Sequence, residues 1–197
     1  MTAPVQTDFV GEEPSLPDKV LAIDEALDAE RIPHAIGGAL ALAYYAEPRA
    51  TIDIDLNVFV PPEDWREVVQ IVKALGVDTA SLDSSALVRD GQCRLWWGDN
   101  PVDLFFSNAP IHEAMRKETR RMPFAGDAIP ILAPEHLAIC KAMFDRPKDW
   151  LDIEQMLLAT DDLDVSEIER WLIEMVGEDD RRLRRLRELR AKLPAES

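Results

Sequence analysis

The sequence predicts an α/β (α+β) chain in which short strands alternate with amphipathic helices and the C-terminal part is helical throughout. Two observations carry this. Residues 51–60 alternate acidic or polar with β-branched and apolar side chains, the two-residue period of a strand. The segments on either side repeat apolar residues at three- and four-residue spacing, the period of a helix with one buried face. After about Pro134 only the helical pattern persists.

The elements follow in order. Ser15 with Asp18 has capping-box spacing, and Val20, Leu21, Ile23, Ala26 and Leu27 form a helical stripe behind it. Residues 33–36 read as a short strand running into Gly37, and Gly38 to about Ala46 as a buried Ala/Leu helix. The strand holding Asp53 runs on through Val58, Phe59 and Val60 and stops at Pro61-Pro62. Glu63 and Asp64 open a helix with apolar Trp65, Val68, Val69, Val72 and Leu75, ended by Gly76. Three short strands are expected next. Residues 86–89 and 93–97 flank Asp90-Gly91, a hairpin cue, and the turn 98–101 leads to residues 102–106, which carry Asp103.

Composition limits the function. The chain has 197 residues, 47% of them hydrophobic, enough for one cored domain or a core with a helical extension. It carries 38 acidic against 22 basic residues, a formal charge of −16. That disfavours nonspecific nucleic-acid binding, which needs a basic surface. Two cysteines, Cys93 and Cys140, make no disulfide framework and point to a reducing cytoplasm. The start shows no signal-peptide pattern, and nothing approaches the roughly 18 consecutive apolar residues of a membrane span.

The chemistry concentrates in a few acids. Asp53 and Asp55 lie two apart on a strand, so they project from one face while Ile52, Ile54 and Leu56 take the other. Adjacent like charges are unfavourable unless something positive lies between them, and a divalent metal fits that need. Oxygen donors favour Mg²⁺ or Mn²⁺ over zinc. The Gly37-Gly38 turn upstream is a place where phosphate can approach backbone N–H groups. Asp103, between Val102 and Leu104, either faces solvent on an edge strand or joins the metal cleft as a third carboxylate and general base. Lys141 shares a helix face with Leu137 and Phe144. Either its stem snorkels from the core edge or its ammonium reaches into a cleft. Asp149 and Asp152 either cap a new helix and pair with Lys148, or complete an active site with Lys141.

Gly-Gly, a helix, and then Arg-x-Thr-x-Asp-x-Asp resembles the nucleotidyltransferase superfamily that shares the DNA polymerase β fold. Lys141, Arg146, Lys148-Asp149 and Asp152 resemble its AbiEii/AbiGii-type toxin branch. The similarity spans about residues 32–158. It implies a nucleotidyltransferase core with a mixed β-sheet flanked by helices over residues 15–132, a helical region over 133–197 packed on it, and a loose tail over 1–14. It implies that Gly37 and Gly38 hold the triphosphate against backbone amides, and that Asp53, Asp55 and Asp103 bind metal with Asp103 as base. Lys141 would contact the triphosphate. Asp149 would be the acidic residue of the Lys-Asp pair and Asp152 its companion. Arg49 would reach phosphate and Thr51 would brace the loop. Many relatives have Gly-Ser where Gly38 stands, so a hydroxyl contact to phosphate must here come from elsewhere.

The expected activity is transfer of a nucleoside monophosphate from an NTP to a hydroxyl. As a toxin–antitoxin-type toxin the chain would modify tRNA or protein and pair with a cognate antitoxin. The alternatives are a small-molecule, antibiotic-type transferase, whose cationic substrate suits an acidic cleft, and a catalytically inactive nucleotide- or partner-binding module. The arginines at 181, 182, 184, 185, 187 and 190 with Lys192 bear on this choice. They are either an RNA-contacting helix or a solvated one balanced by nearby acids. His34 reads as a hydrogen-bonded structural residue. His112 and His136 show no metal-ligand spacing. Of Trp96-Trp97, one ring is expected in the core and one on the opposite face.

Overall fold

The structure, a computed structural model, describes residues 13–160 and 162–192. The tail expected over 1–14 therefore lies outside the described residues except at its last two positions. The chain divides into two units: one comprising the chain up to Gly37 and Ala50–Ile131, the other Gly38–Arg49 and the chain from Leu132 onward.

The first unit is built on a six-stranded mixed sheet. Its strands are β1 (His34–Ile36), β2 (Ile54–Val58), β3 (Gln92–Trp97), β4 (Asn100–Phe106), β5 (Arg120–Phe124) and β6 (Asp127–Ile131), ordered β3-β4-β2-β1-β6-β5. β2 runs parallel to β4 and antiparallel to β1, and β1 runs parallel to β6. One face of the β3-β4-β2 half is apolar: Ile54, Leu56, Val58, Leu95, Val102, Leu104 and Phe106 are buried. Strand alternation sends their neighbours in sequence to the other face.

Helix α1 (Leu16–Ala29) begins with the expected capping box, Ser15 and Asp18 exchanging backbone contacts. It packs on α3 (Trp65–Ala74) and β6, burying Val20, Ile23 and Leu27. α3 follows a 3₁₀ turn at Pro62–Asp64. Lys19 of α1 is almost wholly buried. Its ammonium donates to Glu13 Oε1 at 2.6 Å, the Trp97 carbonyl at 2.8 Å and Asn100 Oδ1 at 2.7 Å. Three acceptors satisfy its three donors and tie the helix to the β3–β4 turn.

Several expectations are corrected. Residues 84–90 form a helix, α4 (Ser84–Asp90), not a strand. The Asp83 carboxylate accepts from the Ser85 and Ala86 amides at 3.0 Å, and Gly91 closes the helix at φ +68°. Asp-Gly thus serves as a helix C-terminus, and the β3–β4 hairpin turns one step later, at Gly98-Asp99. The expected three-strand meander is a two-strand hairpin. β4 is an interior strand, so Asp103 is not on an edge; β3 is the edge. β2 starts after Asp53 and ends at Val58. Helix α5 (Ile111–Glu118) and the β5–β6 hairpin, turning at Ala125-Gly126 with both φ positive, were not anticipated.

The second unit is helical: α2 (Gly38–Leu42), α6 (Pro134–Phe144), α7 (Pro147–Ala159), α8 (Val165–Val176) and α9 (Arg181–Lys192). α2 ends at Leu42 rather than near Ala46. α6 is central, packed on α2, α7 and α8, with α9 on α8. Tyr45 Oη donates to the Leu132 carbonyl at 2.8 Å, and Thr160 Oγ1 to the Tyr45 carbonyl at 3.0 Å, fastening the segment after α2.

Lys19→Ala removes three charge-assisted hydrogen bonds and should lower stability by about 2–4 kcal/mol, read as a lower urea midpoint with unchanged slope.

Candidate functional site

The first unit places Asp55 and Asp103 on one face of the sheet, with Asp53 just ahead of β2. Asp55 is registered directly against Asp103 across the parallel β2–β4 pair. All three are partly accessible. The entry to β2 is braced twice. The Asp53 N–H donates to Thr51 Oγ1 at 3.1 Å, and Asn100 Nδ2 donates to the Ile52 carbonyl at 2.9 Å. The Gly37 N–H donates to the Asp55 carbonyl at 2.8 Å. A backbone bond from Gly37, just after β1, and side-chain bonds of Asn100 and Thr51 thus position the backbone of the Asp-x-Asp pair.

The row has a fourth member. Arg94 of the edge strand is registered against Asp103. Its Nε donates to Oδ1 at 2.7 Å and a terminal nitrogen to Oδ2 at 2.6 Å. This bidentate bond raises the Arg94 pKa further above its usual value, and the charges of Asp103, Asp53 and Asp55 push the same way. One guanidinium therefore lies in the field of all three acids. On the opposite face, burial and then the Asp103 charge push the Cys93 thiol up to about 12.

Carboxylate oxygens are the donor type a hard divalent cation takes, but among the described residues those of Asp53, Asp55 and Asp103 do not all lie within 4.8 Å of one another, Asp103 being turned onto Arg94. The set offers carboxylates from adjacent strands, with Asp55 and Asp103 one strand spacing apart, about 4.8 Å. Asp53, Asp55 and Asp103 would hold Mg²⁺ or Mn²⁺.

The second unit gathers Arg49, Lys141 and Asp152. Lys141, 4% exposed, donates to Asp152 Oδ2 at 2.6 Å, and Arg49 reaches the same oxygen at 3.2 Å. Asp149 sits in the first turn of α7. It accepts from the Arg146 backbone at 3.1 Å and from its guanidinium at 2.6 and 3.0 Å. Gly38, at the start of α2, has φ +57°, a left-handed conformation that suits glycine.

No protein-family model matches the chain, and no curated protein matches it. Solved structures do. The antibiotic-resistance factor ANT(2'')-Ia in solution aligns over 81% of this chain and 90% of its own at 21% identity, TM-score 0.56. The same factor in complex with adenylyl-2''-tobramycin aligns over 89% and 97% at 18% identity, TM-score 0.57. The lincomycin-bound lincosamide antibiotic adenylyltransferase LnuA aligns over 73% and 97% at 12% identity, TM-score 0.50. The fold is that of the nucleotidyltransferases.

Within this nucleotidyltransferase fold, several polar residues escaped the sequence reading. Arg94 was legible only as one position in a Gln92/Arg94/Trp96 alternation; its partner is set by a cross-strand register that sequence does not show. Asn100 and Lys19 were hidden for the same reason. His34 lies between the Ile32 carbonyl, 2.9 Å from Nδ1, and Asp24 Oδ1, 2.8 Å from Nε2. Asp24, Asp28 and His34 converge to within 4.8 Å, and the Arg121 guanidinium bridges both carboxylates. Trp96 is exposed on the carboxylate face and Trp97 is buried.

Asp152→Asn should leave the Lys141 ammonium buried without a carboxylate and cost about 3–5 kcal/mol, read by equilibrium unfolding. At pH 8 a thiol raised to about 12 from 9.0 carries roughly a thousandfold less thiolate, the reactive form. Iodoacetamide should therefore modify Cys93 at least a hundredfold more slowly than free cysteine, measured by site-resolved mass spectrometry. The rate should rise in Asp103→Asn.

Proposed function

We propose that the chain is a metal-dependent nucleotidyltransferase that moves a nucleoside monophosphate from an NTP to a hydroxyl of a small cationic acceptor. The observation that carries the reaction type is the pair Asp55 and Asp103 on one face of the sheet, with Asp53 just ahead of β2, in the fold of known nucleotidyltransferases. A divalent ion held there would supply charge neutralisation to the triphosphate. The chain's own contribution is position and a proton acceptor. Thr51, Asn100 and Gly37 hold the backbone of the acids fixed. Asp103 takes the acceptor hydroxyl's proton. The acceptor oxygen bonds to the α-phosphorus as the bond to the β-phosphate oxygen breaks, and pyrophosphate leaves. The same reading gives Gly37, beside the acid row, to triphosphate binding.

The acceptor class rests on charge. The basic helix α9 is answered within its own unit. Arg181 pairs with Asp145, Arg182 with Asp180, and Arg187 and Arg190 with Glu169, while Arg184 donates to the Asp179 carbonyl and Arg185 stacks on Trp150. Arginines so committed make a poor RNA surface, and the chain's net charge of −16 attracts cations. ANT(2'')-Ia, with its adenylylated tobramycin, gives the kind of acceptor meant. The toxin-type reading, with tRNA or protein as acceptor and a cognate antitoxin, draws no support from α9.

Label transfer from each α-³²P NTP with Mg²⁺ or Mn²⁺ tests this against aminoglycosides, a lincosamide, total tRNA and the protein itself. Label on an aminoglycoside that falls at least a hundredfold in Asp53→Ala/Asp55→Ala is the expected result. Label on tRNA or protein would restore the toxin-type acceptor. Nucleotide binding without transfer to anything would make the chain a binding module.

A further inference from the structure

We propose that Arg94 is a built-in counter-cation for the carboxylate row, holding Asp103 until a divalent ion displaces it. The inference rests on the metal-dependent reading above and concerns how that same site is loaded.

Three observations carry it. First, the bond is a fork: both Asp103 oxygens are engaged, at 2.7 and 2.6 Å, so the carboxylate edge a metal would share is already taken. Second, the two partners differ in exposure. Asp103 is 13% exposed at its side chain and Arg94 is 54% exposed. The acid is held in the sheet while the cation lies on an edge strand and can turn into solvent at little cost. Third, several other cations of this unit have partners elsewhere. Arg89 is on Asp90, Arg116 and Lys117 on Glu113, Arg121 on Asp24 and Asp28, and Lys19 on Glu13. Arg94, forked on Asp103, also lies in the field of Asp53 and Asp55.

Two cations cannot share this carboxylate edge without repulsion. Binding of the divalent ion is thereby linked to release of Arg94, and each opposes the other by the same factor. Arg94 is a positioning residue in this scheme. It fixes the Asp103 rotamer while no metal is bound and lowers the site's metal affinity.

Mn²⁺ titration of the full chain, with free ion followed by electron paramagnetic resonance, provides the test. Arg94→Met should bind Mn²⁺ at least tenfold tighter than the unaltered chain. Arg116→Gln, which removes an equal charge on α5, should stay within twofold. In an Asp103→Asn background, adding Arg94→Met should change affinity less than twofold. The Arg94 Nε–H resonance of the unaltered protein should shift on adding Mg²⁺, which keeps the test open should Arg94→Met fail to fold. Unchanged or weaker binding in Arg94→Met, a gain that survives in Asp103→Asn, or an Nε–H signal indifferent to Mg²⁺ would each overturn the displacement. If Mn²⁺ binding is lost in Asp53→Ala/Asp55→Ala but untouched by Arg94→Met, the displacement fails and the metal reading stands. If no form binds Mn²⁺, both fall.

Discussion

Carboxylates on one face of adjacent strands repel one another, and the first unit is arranged around keeping them there. Their placement is inseparable from the core. Ile54, Leu56, Val102 and Leu104 are buried because they occupy the alternate positions of the strands that carry Asp55 and Asp103. A one-residue slip of β2 would exchange the two sets and bury acids in place of isoleucine and leucine. Apolar burial on one face therefore fixes the register, and the register sets Asp55 against Asp103 on the other. The repulsion is an electrostatic cost carried by hydrophobic packing, relieved locally by whatever cation the row can recruit. In the structure Arg94 meets the row at Asp103.

How much of this is legible in the sequence follows from the range of each interaction. The Asp-x-Asp alternation is a local pattern, and from Ile54 onward it separates the acid face from the apolar face; Ile52, expected on the apolar side, precedes β2 and is exposed. Ser15 with Asp18 is equally local and forms the expected cap. Residues 84–90 went astray because Asp-Gly closes hairpins and helices alike; the deciding residue was Asp83, seven positions upstream of Asp90, whose carboxylate caps two amides and starts a helix. The β5–β6 hairpin was missed because Pro123 and Pro130 interrupt its strand pattern, and it turns through Ala125, a residue without turn character. Asp103 was read as an acid within a strand, but its neighbours on β2 and β3 depend on a sheet order in which β4 lies between them. Arg94, Asn100 and Lys19 act across 9 to 81 residues of chain, and no spacing rule reaches that far.

The second unit shows the same economy of charge in a drier setting. Lys141 had two readings, a snorkelling stem or an ammonium directed into a cleft. In the structure it ends on Asp152, with both side chains nearly excluded from water. Arg49 joins from the segment after α2, so one carboxylate answers two cations. Asp149, three residues earlier, meets Arg146 while serving the first turn of α7, where a negative charge also complements the helix dipole. The capping alternative described its backbone contact, but the partner is Arg146 rather than Lys148.

These commitments shape what the surface offers. The chain has 16 more acids than bases, and most bases with a described partner are matched to an acid within their own unit. The excess is therefore carried by acids on the outside. An anionic polymer approaching such a surface must bring its own counterions, while a polycation gains from the same field at long range. The exposed carboxylate face, with Trp96 beside the acid row, adds an apolar ring to that negative ground. Rings and positive charge together complement that ground better than a phosphate backbone does.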